Sequence, residues 1–197
     1  MKLFGSILAL GLASAYLVAD TSPVRKAPEL AFTLPGEGEK LLSQYRGKVV
    51  ALEFILTTCS HCQEASRVMS RFQQEYGQRG FQALDLAINA LDEGRTAEQA
   101  GLMTRTFAST FQVAFPVGFI GRDPMMSFMG FSIMDRMVVP QMVLMDRKGN
   151  IRWQTPAPSN EEYSKLMSPN TLRQHIEELL AEPATTAGRK GLAKKSI

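Results

Sequence analysis

A chain of 197 residues, 45% hydrophobic and 21% charged, is long enough to bury a core without covalent help, so its two cysteines are not needed as staples for a small fold. The formal charge of +3 is mild, and Arg189, Lys190, Lys194 and Lys195 crowd into the C-terminal tail. The rest of the chain is therefore close to neutral, which excludes a broad nucleic-acid-binding surface.

In chain order, Lys2 precedes residues 3–18, an apolar run with no charge before Asp20, and Ala13-Ser14-Ala15 offers a small-x-small cleavage site. Residues 1–19 are expected to be a signal peptide or an N-terminal anchor. About 16 apolar or small residues fall short of the roughly 20 that span a bilayer. Either reading places the domain in the periplasm or otherwise outside the cytoplasm, where disulfide chemistry is permitted. Residues 20–28 read as a linker, 29–182 as one domain, and 183–197 as a disordered basic tail.

Within the domain, residues 30–34 predict a short strand, and Pro35-Gly36-Glu37-Gly38 a turn. Residues 48–56, KVVALEFIL, form an almost continuous apolar run behind Gly47, as in a strand covered on both faces; Glu53 is its only interruption. From Cys62 to about Gln78 the apolar positions Ala65, Val68, Met69, Phe72 and Tyr76 recur at three and four, which predicts an amphipathic helix ending near Gly77 or Gly80. A strand over 81–88 follows, then a helix over 97–111, a strand or turn edge over 115–119 and a short helical piece over 125–131. Residues 139–145 predict a strand that turns through Asp146-Arg147-Lys148-Gly149-Asn150 into a paired strand over 151–154. Ser168 and Pro169 suit the N-cap and first position of a last helix, with Leu172, Ile176, Leu179 and Leu180 on one face and Pro183 beyond its end. This order predicts an α/β fold, a central mixed sheet with helices on both faces.

The stretch Thr57-Thr58-Cys59-Ser60-His61-Cys62-Gln63-Glu64 holds both cysteines. A redox couple, half of a metal site and two inert core residues are all compatible with this spacing; its place directly after a strand favours the redox couple. A cysteine where a strand gives way to a helix has backbone N–H groups and the positive end of the helix dipole aimed at its sulfur, which favours the thiolate. That describes Cys59, the expected nucleophile. Cys62, within the first turn and more buried, suits a resolving thiol that attacks a mixed disulfide from behind. His61, partly positive at neutral pH, can stabilise the Cys59 thiolate further. A carboxyl at Glu53 among apolar neighbours has its charged form disfavoured, making it a candidate proton acceptor for Cys62.

Ala27-Pro28-Glu29-Leu30 with Phe32-Thr33-Leu34, Tyr45-Arg46-Gly47-Lys48-Val49-Val50, the two-cysteine motif, Phe115-Pro116-Val117, and Val139-Pro140 with Asp146-Arg147-Lys148-Gly149-Asn150-Ile151 together resemble the TlpA/ResA branch of the thioredoxin-like superfamily, over about residues 27–180. The resemblance implies a thioredoxin-like fold and a thiol-disulfide oxidoreductase acting on protein thiols and disulfides, coupled to a membrane or soluble redox partner. It implies no cofactor beyond the redox-active Cys59–Cys62 disulfide and no resident metal. It points to Glu53 as the buried acid and to Pro140 as a cis proline facing the sulfurs, with Val139 and Pro140 shaping the client groove. Two positions depart from the family: Ser60 stands where proline is frequent, and Thr58 where tryptophan is common.

Two other activities are compatible with such a chain. Seven of the eleven methionines, Met125, Met126, Met129, Met134, Met137, Met142 and Met145, lie close together in sequence, and soft thioethers beside Cys59, Cys62 and His61 would suit a Cu(I) metallochaperone. Adaptable packing is the commoner use of methionine, and copper chaperones of this fold usually have three residues between their cysteines. A peroxiredoxin-type peroxidase would need a threonine and a proline where Leu56 and Leu52 stand. His175, beside Ile176 on the last helix, reads as structural.

Overall fold

The computed structural model describes residues 24–183. The expected signal or anchor at 1–19 and all of the basic tail beyond Pro183 lie outside the described residues. Among the described residues no helix is long and apolar enough to cross a membrane.

Among the described residues eight strands form one mixed sheet: β1 (Arg25–Lys26), β2 (Ala31–Leu34), β3 (Gly38–Leu41), β4 (Val49–Ile55), β5 (Phe81–Ala87), β6 (Val117–Phe119), β7 (Gln141–Met145) and β8 (Asn150–Gln154), in the spatial order β1-β8-β7-β4-β5-β6-β2-β3. The central pairs β4–β5 and β5–β6 are parallel, and the flanking pairs are antiparallel. The helices are α1 (Ser60–Tyr76), α2 (Ala97–Thr110), α3 (Arg122–Met129), α4 (Glu161–Leu166) and α5 (Pro169–Ala181).

All seven residues of β4 are buried, because both faces of this strand are covered. Strand side chains alternate between faces, so Val50, Leu52 and Phe54 join one core cluster with Leu84, Leu86 and the α3 residues Met125, Met126, Phe128 and Met129. Val49 and Ala51 join the opposite cluster with Val68, Met69, Phe72 and Tyr76 of α1 and Leu172, Ile176 and Leu179 of α5. Each large side chain buried this way is worth roughly 1.5–3 kcal/mol. Glu53, by the same alternation, points to the α1 side.

The methionine-rich stretch is mostly core. Met125, Met126, Met129, Met142 and Met145 are buried, Met137 packs at the edge of the core, and Met134 is exposed. His175 is buried and stacks on Trp153, with ring centroids 3.8 Å apart.

Several details differ from the expectations. Arg25 and Lys26, within the segment read as a linker, pair with Ile151 and Asn150 as the edge strand. The chain after the 35–38 turn returns as β3 to close a hairpin on β2, although Gly38-Glu39-Lys40-Leu41 has no strand-like composition. Helix α1 begins at Ser60, two residues before Cys62, with Cys59 as its N-cap. Helix α3 begins earlier than expected, at Arg122; Pro124 is tolerated in its first turn, and Gly130 ends it at φ +70°.

Beyond the hairpin turn, Arg147 reaches the end of the last helix. Its guanidinium donates to the carbonyls of Leu179 (3.0 Å), Leu180 (3.3 Å) and Glu182 (3.0 Å), and to that of Arg79 (3.3 Å). These helix-terminal carbonyls have no partner within the helix itself.

Strand β6 passes close to β2 at Gly118. A methyl group there would stand 2.6 Å from the Thr33 carbonyl oxygen and 2.9 Å from Leu34 Cδ2. Gly118→Ala is expected to lower unfolding stability by about 2 kcal/mol, read as a fall in the urea midpoint at unchanged slope; an unchanged midpoint would show that β2 moves aside without cost.

Candidate active site

Strand β4 ends at Ile55, and the chain turns through Leu56-Thr57-Thr58 into α1. The turn is held by Asn89, whose Oδ1 accepts from the Thr57 N–H (3.2 Å) and whose amide donates to Thr57 Oγ1 (3.2 Å). Gln63 donates to the Thr57 carbonyl (3.3 Å). Cys59 is thereby fixed as the N-cap of α1 in extended conformation, and its sulfur accepts the Cys62 N–H at 3.3 Å. A helix of 17 residues thus directs its free N–H groups and dipole towards this sulfur.

The two thiols are unequal. Both are free; Cys59 is half-buried and Cys62 fully buried. Cys62 packs with Ile55, Ala87, Ala90 and Phe119. Burial pushes its thiol far up from the ordinary range, with the hydrogen bond to the Cys59 sulfur adding to the effect. Cys62 is therefore a thiol that must lose its proton to act.

Facing Cys59 is the Val139–Pro140 peptide bond, which is cis. The Cys59 sulfur lies 3.9 Å from the Val139 carbonyl oxygen. This loop is tied down from behind. Gln141 donates to the carbonyls of Val138 (2.7 Å), Ala157 (3.2 Å) and Pro156 (3.3 Å), while its own carbonyl accepts from Thr155 (2.6 Å). From α4, the Tyr163 hydroxyl donates to the Pro140 carbonyl at 2.7 Å. A cavity of about 750 Å³ opens beside the cysteines, lined by His61, Ala65, Val68, Val139, Pro140 and Tyr163 among others. His61 itself is exposed.

Beneath α1, Glu53 is 1% exposed and its register partner Asp85 on β5 is 0% exposed. Burial raises the Glu53 carboxyl well above the ordinary range, and the neighbouring Asp85 charge raises it further. Burial also pushes Asp85 up, to about 7, against the opposing influence of a hydrogen bond from Ser66. That bond runs from the Ser66 hydroxyl to Asp85 Oδ2 at 2.6 Å. Among the described residues no other donor reaches either Glu53 oxygen or Asp85 Oδ1, so the hydrogen bond open to them is one between the two carboxyls.

The structure thus brings together Cys59, Cys62, Val139 and Pro140, places Glu53 under the same helix, and sets His61 at the lip of the groove. Asp85, Ser66 and Tyr163 were not singled out from the sequence. Asp85 left a trace, since it is the one acid inside an otherwise strand-like stretch. Tyr163 left none, because α4 is short and its N-terminus carries two glutamates and no apolar period.

No protein-family model matches the chain. The thioredoxin-like protein YneN of Bacillus subtilis (strain 168) is 32% identical over 94 residues, which cover 47% of this chain and 51% of that protein. The chain therefore matches only about half the length of this curated relative. Among solved structures, a protein from Chlorobium tepidum provisionally described as the thiol:disulfide interchange protein DsbE superposes with a TM-score of 0.58 at 26% identity, covering 80% of this chain and 96% of that one. A protein from Bacteroides thetaiotaomicron provisionally described as a protein disulfide isomerase superposes with a TM-score of 0.59 at 25% identity, covering 80% and 89%. The fold is thioredoxin-like, and these relatives are described as thioredoxin-like or, provisionally, as thiol-disulfide exchange proteins.

Proposed function

We propose that the protein is an extracytoplasmic thiol-disulfide oxidoreductase that exchanges disulfides with protein clients through Cys59 and Cys62. The observation that carries this reading is the inequality of the two thiols. One sulfur is accessible, capped on a helix and opposed by a backbone carbonyl; the other is dry and one turn behind it.

In the reducing direction the Cys59 thiolate attacks one sulfur of a client disulfide, forms the Cys59–client bond and expels the other client sulfur as thiolate. Cys62 then gives up its proton and attacks Cys59 Sγ. The Cys59–client bond breaks, the client leaves reduced, and the pair is left as a disulfide. The opposite sequence oxidises a client. Glu53 serves as the proton acceptor for Cys62, and His61 stands at the lip of the groove where a client approaches the site. The Val139–Pro140 backbone offers an edge for an extended client segment. No dissociable cofactor enters these steps, and a membrane or soluble redox partner resets the pair. Lys2 and the apolar residues 3–18 support export or N-terminal anchoring.

Equilibration with glutathione tests the reading. A reversible two-electron couple is expected; a midpoint above about −180 mV assigns an oxidase or isomerase, and one below about −230 mV a reductase. A pair that shows no reversible couple, in a protein that retains Cu(I) tightly and reduces no insulin, would overturn it in favour of metal carriage.

A further inference from the structure

Glu53 and Asp85 are side by side on neighbouring parallel strands, both on the face covered by α1. Both are fully buried. The influences on Glu53 are burial and Asp85; those on Asp85 are burial, Ser66 and Glu53. No basic side chain acts on either carboxyl among the described residues. Two carboxylates in a dry site without a cation cannot both be ionised, so the pair retains a proton that belongs to both.

The two members are not alike. Asp85 Oδ2 accepts the Ser66 hydroxyl at 2.6 Å, and the same hydroxyl lies 3.0 Å from the Cys62 carbonyl. The ionised form of the pair is therefore supported at Asp85 by an outside donor, while among the described residues the only hydrogen-bond partner open to Glu53 is Asp85 itself. Across the sheet, Glu53 is flanked by Met142, which brings no charge. The other titratable groups that sense this site are Cys62 on the first turn of α1, whose thiol the Glu53 charge helps to raise, and Tyr163 on α4, whose phenol is pushed up to about 12 by burial and by the charges of Cys62, Glu53 and Cys59.

We propose that Asp85 is the second half of the proton-accepting unit for Cys62: Glu53 and Asp85 hold one shared proton, and Asp85, held by Ser66, keeps the pair singly negative so that it can take the Cys62 proton. This rests on the oxidoreductase reading above. When Cys62 is deprotonated the pair passes from one proton to two, the buried site keeps its single negative charge, and the new thiolate faces neutral carboxyls. The Cys62–Cys59 bond forms, the Cys59–client bond breaks, and the extra proton leaves with the client thiolate as a thiol. A lone Glu53 on this apolar face would stay protonated and could not accept.

The test combines a titration with a rate. In reduced protein carrying carboxyl-labelled Glu and Asp, the ¹³C signals of Glu53 and Asp85 are expected to move together through two shared steps; two independent one-step titrations would overturn the proposal. In Asp85→Leu, which keeps the branched shape without the charge, release of a client peptide from Cys59 is expected to need higher pH. At neutral pH the ratio of release rate to capture rate is expected to fall by roughly tenfold or more, since one unit of displacement is a factor of ten. An unchanged pH profile would overturn the proposal. Ser66→Ala, which removes the hydroxyl that favours ionised Asp85, is expected to shift the profile the same way by less, and provides the answer if Asp85→Leu does not fold. Because the titration needs no client, joint titration in a protein that exchanges no disulfide would remove the oxidoreductase reading and leave the shared proton standing.

Discussion

Cys62→Ser is expected to turn the protein into a trap that holds its client on Cys59. Cys59 keeps its exposure, its place at the head of α1 and the carbonyl opposite, so capture proceeds. Release needs a second sulfur on the inner side of the first turn, and Cys62 supplies it. Turnover should drop by roughly a thousandfold or more, as when a member of a covalent-catalysis unit is removed. A disulfide-linked adduct that dithiothreitol dissolves should accumulate on non-reducing gels and in mass spectra. Cys59→Ser should lose capture as well as turnover, because the remaining thiol is 0% exposed. Burying a hydroxyl where Cys62 packs costs about 1–3 kcal/mol, so Cys62→Ala is the companion variant. Normal turnover by either Cys62 variant would show that the two sulfurs do not act as a pair.

A second large effect concerns stability, which should fall as pH rises. Asp85 moves from an ordinary 3.8 up to about 7 on folding, so between those values the folded protein binds a proton that the unfolded chain has released. The sign follows from linkage: where the native state binds more protons, unfolding free energy decreases with pH. The contribution is intact below about pH 4 and lost by the time pH has risen through about 7. At about 1.4 kcal/mol for each tenfold change in proton affinity, the loss is expected to be on the order of a few kcal/mol, a large share of the 5–15 kcal/mol typical of a domain. Glu53, also raised, extends the fall to higher pH. Urea unfolding at pH 5 and pH 8 measures it, and Asp85→Leu should flatten most of the difference. Equal stability at the two pH values would mean that water or a cation reaches the carboxyls.

The central strands, α1, α2 and α5 were legible because burial imposes its period on composition. The run at 48–56 matched a strand covered on two faces, and the three-and-four spacing from Cys62 to Tyr76 matched one helical face. The cysteines declared themselves by spacing and by following that strand. What escaped was set by tertiary partners. Arg25 and Lys26 become a strand because β8 offers an edge, and residues 38–41 because β2 does. The pairing of Glu53 with Asp85 depends on the register between β4 and β5, which sequence reading did not supply. Read alone, Glu53 is a candidate proton acceptor and Asp85 a stray charge; only their adjacency makes them a unit. Tyr163 acts on a loop 23 residues away in sequence, and no local pattern encodes that reach.

The grip of Arg147 on the carbonyls of Leu179, Leu180 and Glu182 has a practical bearing on how the chain can be cut. A tag or proteolytic nick placed after Glu182 leaves this clasp whole. A truncation before Leu179 strips three acceptors from a single guanidinium and removes Leu179 and Leu180 from the core cluster they share with Leu172 and Ile176. Any shortened version intended for crystals should therefore keep the chain through Glu182.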